Sequence, residues 1–384
     1  MTAPMTASSH APAQPCERTA RISKLSGIVF VAFLTLGFAS CVWLLASGKV
    51  AFVPPQLTRQ AALEGDITHK IAKQLSQASV PEQAADLERG ASWLVLHDTG
   101  PRVRSGCAGW LFLTDEMRIN RHARANADTK AGVVRELQQR LAKRGITLLV
   151  AVVPDKSRIA QAQLCDLRRP AMLQDRAVAW VDGLNKAGVA AVDLAPSLQP
   201  LGTDAYLRTD THWSETGAAA AAKAVAAQVQ RMGISATPHK DFEAQVQSPT
   251  RRPGDLVRLA GLEWLPVTLQ PTPETVAATQ INEKVAEAQN GGDNLDDLFG
   301  DDNLPNVALI GTSFSRNSNF AGFLQQALSA PIGNFAKDGG EFSGGANGYF
   351  NNPAFKQTPP KLIIWEIPER DLQTPYGEVI DWAK

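Results

Sequence analysis

The chain of 384 residues has no excess of charge of either sign: 38 lysines and arginines balance 38 aspartates and glutamates. With no basic stripe and no zinc-finger spacing, nothing in it draws a nucleic acid, and that class of function is excluded. No period of 20 to 50 residues marks a solenoid. No long low-complexity tract occurs beyond the alanine-rich stretch after Gly217. His69, His97, His122 and His239 are scattered without metal-ligand spacing, so no metal site is expected. Cysteine is scarce, with four in all.

What is present begins with a long uncharged run. Arg18, Arg21 and Lys24 precede Leu25 to Gly48, and Lys49 closes the segment. A helix over 25–48 is long enough to span a hydrocarbon core of roughly 30 Å. The basic residues ahead of it place 1–24 in the cytoplasm and everything after Lys49 across the membrane. A signal anchor is the expectation, in a bacterial inner membrane with the remaining chain in the periplasm. A cleaved signal ending at Ala46, Ser47 and Gly48 is one alternative, and a lipoprotein-like site at Phe38 to Cys41 is another. Cys16 then falls inside the cell and Cys41 in the span. That leaves Cys107 and Cys165 outside, either as one disulfide or as two separate buried thiols.

Residues 49–104 read as a linker with two helical stretches, along which Leu57, Ala61, Ile67, Ile71 and Leu75 form an approximate stripe. From about 105 to the end, short apolar runs alternate with helical patterns, which predicts an α/β layer fold with a largely parallel sheet. The expected strands are Trp110 to Leu113, Ile146 to Val153, Val189 to Leu194, Val307 to Ile310 and Leu362 to Ile367. Helices are expected near 128–143, 170–186 and Phe320 to Leu328, with another capped by Ser214. Residues 236–304 look like an irregular insertion, with a strand at Trp264 to Leu269 and an acidic run from Gly291 to Asn303.

Two places carry chemistry. In Leu207 to Ser214, Asp210 precedes His212 by two residues just before a capped helix. A carboxylate at that spacing fixes the imidazole tautomer and favours its taking a proton, as a general base requires. By itself such a pair is also an ordinary surface hydrogen bond. In the second place the Val307 to Ile310 strand runs into Gly311, Thr312 and Ser313, at the carboxyl end of the sheet where open α/β folds put their sites. Gly311 permits close backbone approach, and the amides of the turn can stabilise an oxyanion. Asn347, in the loop Gly344 to Gly348, is a further candidate donor, although a glycine-rich loop is commonly only a turn. Together the places suggest that Ser313 attacks an acyl carbonyl, His212 accepts its proton and Asp210 orients His212.

Six stretches in order across 105–372 resemble one known family. They are Gly109-Trp110-Leu111-Phe112-Leu113, Pro154-Asp155-Lys156, Asp210-Thr211-His212-Trp213, Pro253-Gly254-Asp255-Leu256, Gly311-Thr312-Ser313-Phe314-Ser315 and Trp365 to Arg370. The family is the SGNH-hydrolase-like O-acetyltransferases of alginate biosynthesis, the AlgJ and AlgX group. The resemblance implies a three-layer SGNH-like fold, an acetyl-enzyme on Ser313 and a polysaccharide acceptor. It also implies a multi-span membrane acyltransferase as acetyl source and no bound cofactor. Phe314 stands where that family usually has tyrosine. The sequence ends soon after Arg370, which resembles the AlgJ layout rather than the AlgX layout with its carbohydrate-binding module.

Asp155 and Lys156, and Arg370 with Glu366 or Glu369, fit either cleft-lining or structural ion pairs, the latter being favoured. Two other functions remain open: an esterase with the same triad, and a non-catalytic subunit that stacks sugars on tryptophan. Trp110 and Trp365 fall in expected strands and suit a core instead.

Overall fold

In a computed structural model, residues 24–47, 65–76, 79–284, 304–377 and 379–381 are described. The chain divides into two units, Met1–Ala85 and Asp86–Lys384. The acidic run from Gly291 to Asn303, Leu57 and Ala61 lie outside the described residues.

The first unit contains α1 (Lys24–Ala46) and α2 (Asp66–Ser76). In α1 the segment Lys24–Leu44 has a mean hydropathy of 2.2, and by length and composition it can cross a membrane. Helix α3 (Ser79–Leu96) runs across the division into the second unit.

The second unit starts earlier than the boundary at 105 expected from sequence. Trp93 of α3 donates its indole N–H to Leu269 O at 2.7 Å. It also packs on an apolar cluster formed by Val103, Leu111, Leu256, Val257 and Leu262. Those contacts make the last turns of α3 part of the domain rather than of a linker. The strands β1 (Val103–Ser105) and β2 (Leu111–Leu113) pair antiparallel as a separate hairpin. The Trp110 to Leu113 run is therefore not a strand of the main sheet.

The elements that follow are α4 (Ala123–Ala142), β3 (Thr147–Val153), α5 (Arg176–Lys186), β4 (Ala190–Asp193) and α6 (Glu215–Arg231). Next come β5 (Phe242–Val246), β6 (Thr250–Arg252), α7 (Asp255–Leu259), β7 (Glu274–Val276) and β8 (Thr279–Glu283). The chain resumes with β9 (Val307–Ile310), α8 (Phe320–Leu328), β10 (Gly333–Asn334), α9 (Gly344–Phe350), α10 (Pro353–Gln357) and β11 (Leu362–Pro368). Five strands form one parallel sheet in the order β10-β9-β11-β3-β4.

The sheet is covered on both faces, and the period-2 alternation of its strands divides the core. Leu149, Ala151, Val153, Leu309 and Ile364 face one cluster with Ala218, Trp213 and Phe320. Leu148, Val150, Val152, Ile310 and Ile363 face the other, with Leu137 of α4 and Leu184 of α5. Burial on both sides explains why these strands read as uninterrupted apolar runs.

The region 236–304 is more regular than expected. Strands β5 and β8 form one antiparallel ribbon and β6 and β7 a second. Trp264 to Leu269 is turn rather than strand, because Pro266 cannot donate to a ladder. Helix α5 starts at Arg176, later than expected, after a single turn at Ala171–Leu173 behind Pro170.

Cys107 and Cys165 are joined in a disulfide, at a sequence separation of 58 and with 5.4 Å between Cα atoms. It ties the turn between β1 and β2 to the segment after β3. Closing a loop of that length contributes about 4 kcal/mol to stability. Dithiothreitol is expected to lower the melting temperature of the wild type and to leave that of a Cys107→Ser/Cys165→Ser variant unchanged, as differential scanning fluorimetry would record.

Candidate active site

The histidine loop is a tight reversal between β4 and α6. Leu207 N donates to His212 O at 3.1 Å, and Ser214 N to Ala205 O at 3.0 Å, which closes the segment on itself. Ser214 caps α6 by accepting from Gly217 N. The Glu274 carboxylate, from β7, accepts from the backbone N–H groups of Arg208 and Thr209. From below, the ammonium of Lys156 donates to Leu111 O (2.7 Å), Arg208 O (2.8 Å) and Asp210 O (2.9 Å).

Lys156 is fully buried, and burial pushes its pKa down to about 8 against the pull of Glu116 and Glu274. The three carbonyls use all three of its donors, so it is a clamp between the β1-β2 hairpin and the histidine loop. Lys156→Met leaves Leu111 O and Asp210 O without a donor, while Arg208 O keeps the Leu111 N–H at 3.0 Å, and is expected to destabilise the protein by about 2–4 kcal/mol, measured by chemical denaturation.

The serine turn leaves β9 at Ile310. A Cβ at Gly311 would lie 2.6 Å from Glu366 Oε2 and 2.8 Å from Glu366 O, so only glycine allows β9 to run so close to β11. The buried Glu366 carboxylate accepts from Thr312 N (2.7 Å), from Thr312 Oγ1 and from Ser315 Oγ (3.0 Å). Asn317 donates from its backbone N–H and its amide to Ser313 O, both at 2.9 Å. The turn is thus fixed on both sides of Ser313.

These two segments bring Asp210, His212 and Ser313 into one chain of hydrogen bonds. His212 Nε2 is 2.7 Å from Ser313 Oγ, and His212 Nδ1 is 2.6 Å from Asp210 Oδ1. His212 N also donates to Asp210 Oδ1 at 2.9 Å. Burial opposes ionisation of Asp210, but hydrogen bonds from His212 and the positive charges of His212 and Arg252 outweigh it and hold the carboxyl below the ordinary carboxylate range. Phe314 is buried and stands edge-on to His212 and to Trp213, with centroids 4.9 and 5.1 Å away. The absence of a phenol at that position leaves a wedge that fixes the imidazole plane.

The expected oxyanion donors fare differently. Thr312 has its N–H and hydroxyl committed to Glu366, and Gly311 serves backbone approach. Asn347 lies on α9, where its amide meets Val379 O and Asp381 N at the end of the described chain rather than Ser313. Trp110, Trp213 and Trp365 are buried and unavailable for sugar stacking. Arg370 lies over the Phe314 ring at 5.3 Å, while Asp155 and Glu369 join a buried ion cluster.

Asn317 and Asp255 carry no role in the sequence reading, while Lys156 and Glu366, expected in structural ion pairs, instead clamp the histidine loop and anchor the serine turn through hydrogen bonds. Asp255 did stand in a noted stretch, Pro253-Gly254-Asp255. A Cβ at Gly254 would lie 1.9 Å from Thr209 O, so the glycine is what lets Asp255 reach the histidine loop. A cavity of about 550 Å³ opens beside Asp210, Asp255 and Asn317, with Arg251, Arg252 and Arg258 on its wall.

A family model described as the SGNH hydrolase-like domain of acetyltransferase AlgX matches residues 103–369. The chain belongs to that family. A probable alginate O-acetylase AlgJ of Pseudomonas aeruginosa is 33% identical over 319 residues, covering 81% of this chain and 81% of the relative. An alginate biosynthesis protein AlgX of Pseudomonas syringae is 32% identical, covering 67% of this chain and 53% of that protein. Among solved structures, the O-acetyltransferase domain of Pseudomonas putida AlgJ superposes with a TM-score of 0.61 at 28% identity, covering 72% of this chain and 94% of that one. The Pseudomonas aeruginosa AlgX structure gives 0.55 at 26% identity, over 69% of this chain and 62% of that one. The five-stranded parallel sheet with its flanking helices is therefore the family fold.

Proposed function

We propose that the chain transfers acetyl groups to hydroxyls of an exported acidic polysaccharide of the alginate kind, through an acetyl-enzyme on Ser313. The observation that carries this is the hydrogen-bonded sequence Ser313 Oγ, His212 Nε2, His212 Nδ1, Asp210 Oδ1 at the carboxyl end of β9. As Ser313 Oγ bonds to the acyl carbon, its proton passes to His212 Nε2. The tetrahedral oxyanion then collapses, the donor's C–O bond breaks and the proton goes to the leaving oxygen. A sugar hydroxyl repeats these steps in reverse and leaves with the acetyl group. Asp210, kept ionised, holds the tautomer that makes Nε2 the acceptor and stabilises the imidazolium.

The polymer assignment rests on the names of the relatives and on the cavity, whose three arginines suit the carboxylates of a uronic acid chain. The acetyl group would come from a multi-span membrane acyltransferase. Helix α1 would hold the domain near that partner as a periplasmic signal anchor, and the disulfide suits such an oxidising compartment.

Transfer and hydrolysis share the acyl-enzyme and differ in the acceptor. Incubation of the detergent-solubilised full chain with p-nitrophenyl acetate and uronic acid oligosaccharides is expected to yield acetylated sugar by mass spectrometry. Release of acetate alone, unchanged by the acceptor, would mark an esterase instead.

A further inference from the structure

Besides Asp210, a second carboxylate stands at His212. Asp255 Oδ2 is 3.8 Å from His212 Nδ1, and Asp255 Oδ1 accepts from Thr211 N at 2.6 Å. Its own backbone N–H donates to Asp210 Oδ2 at 3.3 Å. Asp255 is the first residue of α7, and it reaches the loop only because Gly254 lies directly against Thr209 O. Asp210, His212 and Asp255 thereby bring one donor atom each within 4.8 Å of one another. The 2.6 Å contact between Nδ1 and Asp210 is hydrogen-bond geometry, which leaves Asp255 as an outer carboxylate facing the same edge of the ring.

On the reading of Ser313 and His212 given above, we propose that Asp255 is a positioning residue that sets the basicity of His212 and stabilises its protonated form as a second carboxylate on the Nδ1 edge, outside Asp210. The proton never passes to Asp255. Its charge acts on the imidazole ring, and its hydrogen bond from Thr211 N fixes the loop between the two triad residues.

The other charged groups here do not substitute for it. Arg252 approaches Asp210 Oδ2 to 3.8 Å and donates to Asn317 Oδ1, so it balances Asp210. Lys156 is occupied by carbonyls below the loop, and Glu274 by the amides of Arg208 and Thr209. Arg370 lies over Phe314. Burial and the neighbouring Asp210 raise the Asp255 carboxyl above its ordinary range, while His212 pulls the other way. Formation of the imidazolium therefore favours the ionised carboxylate at the moment it is needed.

The sign of the effect is fixed. Loss of a negative charge beside an imidazole makes it a weaker base, so it stays unprotonated to lower pH. Asp255→Asn keeps an oxygen acceptor for Thr211 N and removes the charge. It is expected to lower the acylation rate with p-nitrophenyl acetate about tenfold and to move the acid limb of the pH–rate profile down by about one unit. Asp255→Ser, a smaller neutral residue, should move the limb in the same direction, whereas Asp255→Glu should restore it toward the wild-type position.

The assay uses the full-length protein in detergent, with Ser313→Ala as blank and thermal melting as the folding control. If either neutral variant melts like the wild type and shows an acid limb superimposed on the wild-type one, whatever its rate, Asp255 is only structural and the proposal is wrong. If Ser313→Ala acylates as fast as the wild type, the triad assignment itself fails, which is a separate outcome.

Discussion

Replacing Ser313 by alanine is expected to lower turnover of p-nitrophenyl acetate by roughly 10⁴-fold or more, with the melting temperature unchanged. The expectation follows from the arrangement of the turn. Ser313 Oγ meets His212 Nε2 at 2.7 Å, while the backbone around it is held by Glu366 and Asn317. Removing one hydroxyl leaves Thr312, Ser315 and Asn317 with all their partners, so the loss should appear in the rate and not in stability. His212→Ala should come close to the same loss, because residues that act as one unit are not additive. A fall of less than tenfold in Ser313→Ala would assign the nucleophile elsewhere.

The largest effect on stability is expected at Glu369. Its carboxylate, 0% exposed, accepts from Arg169 Nη2 (2.6 Å) and Arg176 Nε (3.0 Å) on one oxygen, and from Arg158 Nη1 (3.2 Å) and Asp155 N (3.1 Å) on the other. Arg169 also reaches Asp155 at 2.8 Å, and Arg158 reaches Asp193 at 3.2 Å. Asp155, Asp193 and Glu369 lie at or just beyond the carboxyl ends of β3, β4 and β11, so the cluster fastens three adjacent strands at the edge of the sheet that carries the site. Glu369→Gln leaves three guanidinium groups facing two carboxylates in a dry interior, at an expected cost of about 3–5 kcal/mol by urea denaturation. Burial opposes ionisation of Glu369, but the charges of Arg169, Arg176 and Arg158 prevail and hold its carboxyl below the ordinary range. A carboxylate depressed in the folded state stabilises fully above its unfolded pKa of about 4.3, and that contribution fades as pH falls below it. The gap between wild type and Glu369→Gln should therefore be full at pH 7 and shrink below about pH 4.

How much of this was legible in the sequence depended on how local the cause was. Strands β3, β9 and β11 stood out because burial on both faces makes each a continuous apolar run. The ribbons after α6 did not, because a strand such as β5, with four of its five residues exposed, shows no apolar alternation. Trp264 to Leu269 looked like a strand by composition, and Pro266 prevented it. Trp110 to Leu113 is extended as its composition predicts, but its strand β2 pairs with β1 outside the main sheet, since three residues carry no information about their partner.

The candidate site divides in the same way. Asp210 and His212 announce each other at a spacing of two, and Ser313 follows a strand and a glycine. Lys156, Asp255 and Glu366 act through hydrogen bonds to residues 44 to 54 positions away, and Asn317 meets Arg252 across 65. Such pairings arise only when the sheet assembles. Asn347 shows the converse error: a glycine-rich loop in sequence became a helix, and its amide went to the chain end.

The central claim is that the acetyl group passes through the Ser313 hydroxyl. Peptide mass spectrometry of the full-length protein, quenched in acid seconds after mixing with p-nitrophenyl acetate, tests it directly. The account predicts one added acetyl group on the peptide carrying Ser313, absent from Ser313→Ala and restored to the free serine when a uronic acid oligosaccharide is added. An acetyl group on any other residue, formed equally in Ser313→Ala, would contradict it.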